Sequence, residues 1–175
     1  MNLSKSRKET ISTYIKAKDD NKPHLMKDVF ENSASLSMKV KSDAISFPSE
    51  SQGLDSITNI LVSDFSQKYE NVYTFCMSDS IMFDEENTLC KWVVVMTDRK
   101  EGNIRVGFGG YKWVFNNDLV KQLTISIEYM IALEKMQSEE IFLWTNKKNY
   151  PWCDSGEFLK GVPESISFLA NGLTS

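Results

Sequence analysis

An α+β fold, with helices gathered ahead of a strongly bent and largely antiparallel sheet, follows from three features of the sequence. Helix-period patterns come first and strand-period patterns dominate from residue 71 to residue 131, the segregated order of an α+β chain. Leu123, Ile125, Ile127, Tyr129 and Ile131 alternate with Gln122, Thr124, Ser126, Glu128 and Met130, a period of two for one buried face. Just before this, Ile104, Val106 and Phe108 occupy even positions, whereas Tyr111, Trp113 and Phe115 occupy odd ones. Alternate side chains of a strand face opposite sides, so the switch at Gly109-Gly110 predicts a bulge or sharp bend. A bent hairpin with an aromatic concave side makes a pocket wall; the same aromatics also serve as ordinary core.

The remaining elements follow in order. Residues 4–18 read as a helix, with Ile11, Tyr14, Ile15 and Lys18 at i, i+3, i+4 spacing. Pro23 opens a second short helix, since proline suits the first helical position, and Leu25, Met26, Val29 and Phe30 give it an apolar face. Residues 34–41 alternate as a strand through Leu36, Met38 and Val40. Gly53 precedes an amphipathic helix with the stripe Leu54, Ile57, Leu61, Phe65 and Tyr69. Residues 71–77 and 88–97 are strands, joined through a turn at residues 84–87. Asn116-Asn117-Asp118 turns the chain between the two long strands. Further helix is expected from Ser138 and again near Glu164.

Length and composition bound the rest. The chain has 175 residues, 41% hydrophobic and 25% charged, the profile of a globular domain that needs no metal or disulfide to fold. A net charge of −4 without a basic cluster argues against nucleic acid as partner. Cys76, Cys90 and Cys153 form no CxxC pair and His24 is the only histidine, so no metal site is expected. Unpaired thiols suit a reducing cytoplasm. Residues 1–10 carry no apolar signal core, and the longest apolar run, Trp92 to Met96, is too short to span a membrane.

Tyr14-Ile15-Lys16-Ala17, Leu25-x3-Val29-Phe30, Ala34-Ser35-Leu36, Gly53-x3-Ile57 with Phe65, and the run from Ile104 to Ile131 occur in an order that resembles the NTF2-like superfamily, in its SnoaL-like branch. The resemblance covers roughly Ser4 to Ile131, within an expected domain of residues 1–131; residues 132–175 are expected to form a C-terminal helical extension packed on the same domain or on a dimer partner. It implies a cone of three N-terminal helices on a bent antiparallel or mixed sheet, with a pocket inside and a homodimer through the sheet's outer face. The superfamily holds ketosteroid isomerases, dehydratases, polyketide cyclases and non-catalytic proteins, so fold alone does not fix function. In the isomerases a first-helix tyrosine, a first-strand aspartate base and an acid on the bent strand do the chemistry. Here Tyr14 matches the tyrosine, but Met38 stands at the base position and Tyr111 at the second acid. A thioether abstracts no proton, and His24, beside Pro23 at a helix start, is expected at the surface.

The expected function is therefore binding of a small hydrophobic molecule, with no cofactor. The expected pocket walls are Tyr14, Met38, Phe65, Tyr111, Trp113, Ile127 and Tyr129. Two alternatives stand beside it. One is an isomerase-, dehydratase- or cyclase-type enzyme in which Tyr14 and Tyr111 polarise a carbonyl; the other is a protein-interaction domain with a plugged cone. Among the carboxylates, Asp43 is a remote candidate base at the pocket mouth, Asp98 and Glu101 are expected in solvent, and Glu128 is expected to face a dimer partner. Trp144, Tyr150 and Trp152 are too apolar to be left exposed, and are expected to close the cone mouth as a lid or to reach a second subunit as an arm.

Overall fold

The computed structural model describes residues 3–174. Helix α1 (Leu3–Asp19) is followed by a tight helical turn (Pro23–Asp28) and strand β1 (Phe30–Val40). Strand β2 (Glu50–Gln52) leads into α2 (Leu54–Thr58), a π-helical turn (Asn59–Ser63) and α3 (Asp64–Lys68). Gly53 enters α2 at φ 95°, a backbone region that costs glycine little. Then come β3 (Tyr69–Met77), β4 (Met82–Phe83), β5 (Asn87–Asp98), β6 (Ile104–Asn116) and β7 (Leu119–Leu133). The extension holds α4 (Ser138–Thr145), β8 (Trp152–Cys153), α5 (Ser155–Leu159) and α6 (Leu169–Thr174).

One mixed sheet runs in the order β2-β1-β7-β6-β5-β3-β8, with β4 paired to β5. The β3-β5-β6-β7 meander is antiparallel. The pairs β1–β7 and β3–β8 are parallel. Both sheet faces are covered. On the inner face, α1, the Pro23–Asp28 turn and the α2–α3 segment pack on Leu36, Met38, Trp92, Tyr111, Trp113, Leu123 and Ile125. On the outer face, Ile141, Trp144, Phe158, Ile166, Leus 169 and 173 of the extension pack on Phe75, Val93, Val95, Ile104 and Val106.

This double cover corrects the expected bulge on β6. Ile104 and Val106 belong to the outer core, and Tyr111, Trp113 and Phe115 to the inner one. β6 keeps strict alternation, and the apolar stripe changes parity because the cover changes face. The bulge lies instead on β7. Phe108 pairs with Tyr129 and Gly109 with Ile127, so Glu128 is the extra residue. It reverses the alternation: Ile127 and Met130 face inward, whereas Tyr129 is exposed against Phe108 and Phe168. Gly109 makes room for the bend, since a Cβ there would lie 1.8 Å from the Ser126 carbonyl oxygen.

The extension is neither a lid nor a free arm. After α4 it crosses to the β3 edge, where the Cys76 N–H donates to the Pro151 carbonyl at 2.7 Å. Trp152 Nε1 donates to Ser12 Oγ of α1 at 2.9 Å. The Ser155 N–H donates to Asp79 Oδ1 at 2.8 Å. Asp98 differs from expectation too: it is buried, paired to Arg105 at 2.9 Å, and its Oδ1 accepts the Lys100 N–H.

Candidate functional site

The cone holds a cavity of about 40 Å³. Its walls come from α1, the helical segment before β3, the β1–β2 loop and strands β1, β3, β5, β6 and β7. Helix α1 supplies Tyr14 and Lys18, one turn apart; Leu61 and Phe65 come from the helical segment before β3. The strands supply Met38, Thr74, Trp92, Val94, Met96, Tyr111, Ile125, Ile127 and Met130. Ile45 and Phe47 of the β1–β2 loop also line it. This loop is pinned by Arg105 Nη1 donating to the Ala44 carbonyl at 3.0 Å and Ser42 Oγ donating to the Met130 carbonyl at 3.1 Å. Phe47 stacks on Phe65 with ring centroids 6.5 Å apart. The loop of residues 41–49, rather than the extension, thus forms part of the cavity wall.

Of the residues expected in the wall, Tyr14, Met38, Phe65, Tyr111 and Ile127 line the cavity. Trp113 stands behind it, fully buried, with its ring 5.2 Å from that of Tyr14 and 5.3 Å from that of Tyr111. Tyr129 is on the opposite face, because the Glu128 bulge turns it outward. His24 and Asp43 are exposed, and Glu128 pairs with Lys41 at 2.8 Å.

The polar part of the wall is made of donors. The Tyr14 and Tyr111 rings meet edge to face with centroids 5.9 Å apart. Burial pushes the pKa of both phenols up, and for Tyr14 the neighbouring Tyr111 hydroxyl works against the rise. Both hydroxyls therefore stay protonated across the physiological range. Beside them, Lys18 Nζ donates to Asp19 Oδ1 at 2.8 Å and to Thr74 Oγ1 at 2.6 Å, and lies 4.9 Å from the centre of the Phe65 ring. Trp92 also lines the cavity, and its buried indole N–H has no hydrogen-bond partner among the described residues. Cys76 lies next to Cys90 behind this wall, and burial raises its thiol pKa well above the ordinary value.

Asp19, one residue beyond the helix expected over residues 4–18, holds the lysine. Its side chain is fully buried. Oδ1 accepts from Lys18 and Thr74 Oγ1, and Oδ2 accepts from the Thr74 N–H and the Tyr150 hydroxyl. Lys18 itself stood on the apolar stripe of α1 in the sequence, a position that a solvated lysine has no reason to occupy. No described residues group three or more histidine, cysteine or acidic side chains in a way that would hold a metal ion.

No family model and no curated protein matches the sequence. Solved structures do match the fold. A protein from Rhodopseudomonas palustris named as a candidate isomerase superposes with a TM-score of 0.60 at 11% identity, over 70% of this chain and 89% of that one. A ketosteroid isomerase-like protein from Catenulispora acidiphila, solved in complex with trimethylamine, gives 0.56 at 10% identity, over 67% and 83%. An NTF2-like superfamily protein from Salmonella enterica gives 0.56 at 15%, over 73% and 94%. The chain has the NTF2-like fold, an α+β cone with a mixed sheet. At these identities the likeness concerns the fold, and the site must be judged on its own residues.

Proposed function

We propose that this protein binds a small, mainly apolar molecule carrying a hydrogen-bond acceptor such as a carbonyl oxygen. The observation that carries this reading is the cavity wall: apolar throughout except for Tyr14, Lys18, Thr74, Trp92 and Tyr111, with no carboxylate or imidazole among its residues. A wall of donors suits an acceptor, and the orphaned Trp92 N–H leaves one donor unsatisfied. With Met38 at the isomerase base position, the site lacks a group to abstract a proton. That favours binding over isomerase-type turnover.

The cavity's 40 Å³ is well below the roughly 150 Å³ of a cavity that takes benzene. A larger guest enters by displacement of Ile45 and Phe47 and by repacking of Met38, Met96 and Met130, whose unbranched side chains adapt readily. The trimethylamine complex of a fold neighbour supports small guests. The three free thiols suit a reducing compartment such as the cytoplasm.

A thermal-shift series of ketones graded from acetone through cyclohexanone to a bicyclic ketone tests the reading. A ligand at about 100 times its Kd adds about 2.7 kcal/mol, which raises Tm by roughly 5–10 °C in a domain of this size. The shift should vanish in Tyr111→Phe and in Met38→Trp, which remove a donor and fill the cavity. No shift with any member of the series would overturn the proposal. Conversion of a bound ketone would instead support the second reading, in which the adjacent Tyr14 and Tyr111 phenols polarise a reacting carbonyl.

A further inference from the structure

The hydroxyl of Tyr150 in the C-terminal extension bonds to Asp19, the carboxylate that holds Lys18 at the cone wall. We propose that Tyr150 is a positioning residue for that site: through Asp19 it holds the Lys18 ammonium at the cavity wall. The inference builds on the reading of the cone as a binding site, and its decisive test needs no ligand.

A carboxylate offers about four acceptor positions, and all four on Asp19 are taken: Lys18 Nζ and Thr74 Oγ1 on Oδ1, the Thr74 N–H and the Tyr150 hydroxyl on Oδ2. Two of the four come from Thr74 on β3 and one from Lys18 itself, so Tyr150 supplies the only bond from outside the α1–β3 contact. Its ring is anchored from behind, 5.9 Å from Tyr73 and 5.4 Å from Phe75 on the outer side of β3. The next residue, Pro151, is tied to the Cys76 N–H. The hydroxyl is therefore delivered from a fixed frame. It fixes the carboxylate plane, and the carboxylate fixes Nζ.

Lys18 has three N–H groups. Two are directed to Asp19 and Thr74, which leaves one for the cavity that Lys18 lines. If Oδ2 loses its phenol, the carboxylate is free to turn, and the ammonium turns with it. Tyr150 does not line the cavity, and its hydroxyl bonds to Asp19, so it acts through that carboxylate.

The experiment follows the Lys18 ammonium directly by NMR in protein labelled with nitrogen-15 at lysine side chains, with Lys18→Arg to assign the signal. In the wild-type protein the signal should be sharp and protected from exchange with water, as expected of a buried, doubly bonded ammonium. Tyr150→Phe should shift it and accelerate its exchange at least tenfold, and Asp19→Asn should do the same. Trp152→Phe is the control. It removes another bond from the extension to α1, the one to Ser12, without touching Asp19, so the Lys18 signal should stay put. An unchanged Lys18 signal in Tyr150→Phe would overturn the proposal. So would equal changes in Tyr150→Phe and Trp152→Phe, which would mean only that the tail had loosened. Cyclohexanone titrations of the same variants test the cone reading separately. Weakening of about tenfold in Tyr150→Phe, with none in Trp152→Phe, supports both. A Lys18 response without cyclohexanone binding in the wild type keeps the positioning role and removes this ketone as the guest.

Discussion

Lys18 and Asp19 are adjacent in sequence yet occupy a cavity wall and its backing, and their pairing sets what substitutions there will do. Lys18→Met would leave the fully buried Asp19 carboxylate without its cation, a loss of about 3 kcal/mol. Urea unfolding would measure it, and adding Asp19→Asn should recover part of the loss, since an uncharged pair has no buried charge to orphan. The phenols make a second statement, about pH. Burial raises the Tyr14 and Tyr111 pKa above the ordinary 10.0. The folded state thus keeps protons that the unfolded chain gives up. The stability they confer is complete below pH 10 and is lost as pH rises further, by about 1.4 kcal/mol per pH unit for each phenol. Unfolding at pH 8, 10 and 11 should show this slope, reduced by one phenol in Tyr111→Phe. Arg7 shows how much a sequence conceals at this scale. It reads as a surface arginine, but it is buried on α1 and donates to the Asp84, Asn87 and Glu85 carbonyls and to Thr88 Oγ1. No local pattern announces a contact across about eighty residues, whereas Lys18 was visible as a charge on an apolar stripe.

Between single residues and the whole chain, the β6–β7 hairpin is the element that shapes the cone. Gly109→Ala should be among the most damaging small substitutions in the protein. The new Cβ would meet the Ser126 carbonyl at 1.8 Å and Trp92 at 2.7 Å. Relief requires the β7 bulge to move, at a cost of about 3 kcal/mol, the upper end for overpacking. Gly110→Ala, where the nearest atom is 3.9 Å away, should cost far less, and the pair compared by urea unfolding checks the argument. The glycines, the Asn117 turn at φ 58° and the alternation from Leu123 to Ile127 were all legible, because turn chemistry and period-two patterning are local. The bulge at Glu128 was not. Tyr129 continues an apolar alternation on paper, and only the presence of Phe168, 4.8 Å from its ring, makes the outer face a suitable place for it. β6 misled for a related reason: a strand covered on both faces carries apolar residues on either parity, and sequence does not reveal which face is covered where.

At the scale of the molecule, the extension's main contact is with the outer face of the sheet that it follows. That Trp144 would be buried was legible from its ring, whereas Tyr150, also expected to be covered, is exposed; where the segment would pack was not legible, since Phe75 precedes its partner Phe158 by about eighty residues. Trp144 packs 4.8 Å from Phe158, its Nε1 donates to the Lys160 carbonyl at 3.0 Å, and Phe158 lies 4.9 Å from Phe75. Beneath them Phe75, Met77, Val93, Val95, Ile104 and Val106 are all within 1% of full burial. A chain ended after residue 133 would uncover these six side chains together, as one apolar patch on a central part of the sheet. Fully burying a side chain of this kind contributes about 1.5–3 kcal/mol, so six together, even after discounting for the compact unfolded state, are comparable to the whole 5–15 kcal/mol by which domains are stable. The truncated protein should therefore fail to stay monomeric. It should either aggregate or cover the patch with a second copy, and sedimentation velocity across a concentration series would distinguish the two. A soluble truncated monomer with the Tm of the full chain would show that the extension contributes nothing to the sheet that it covers.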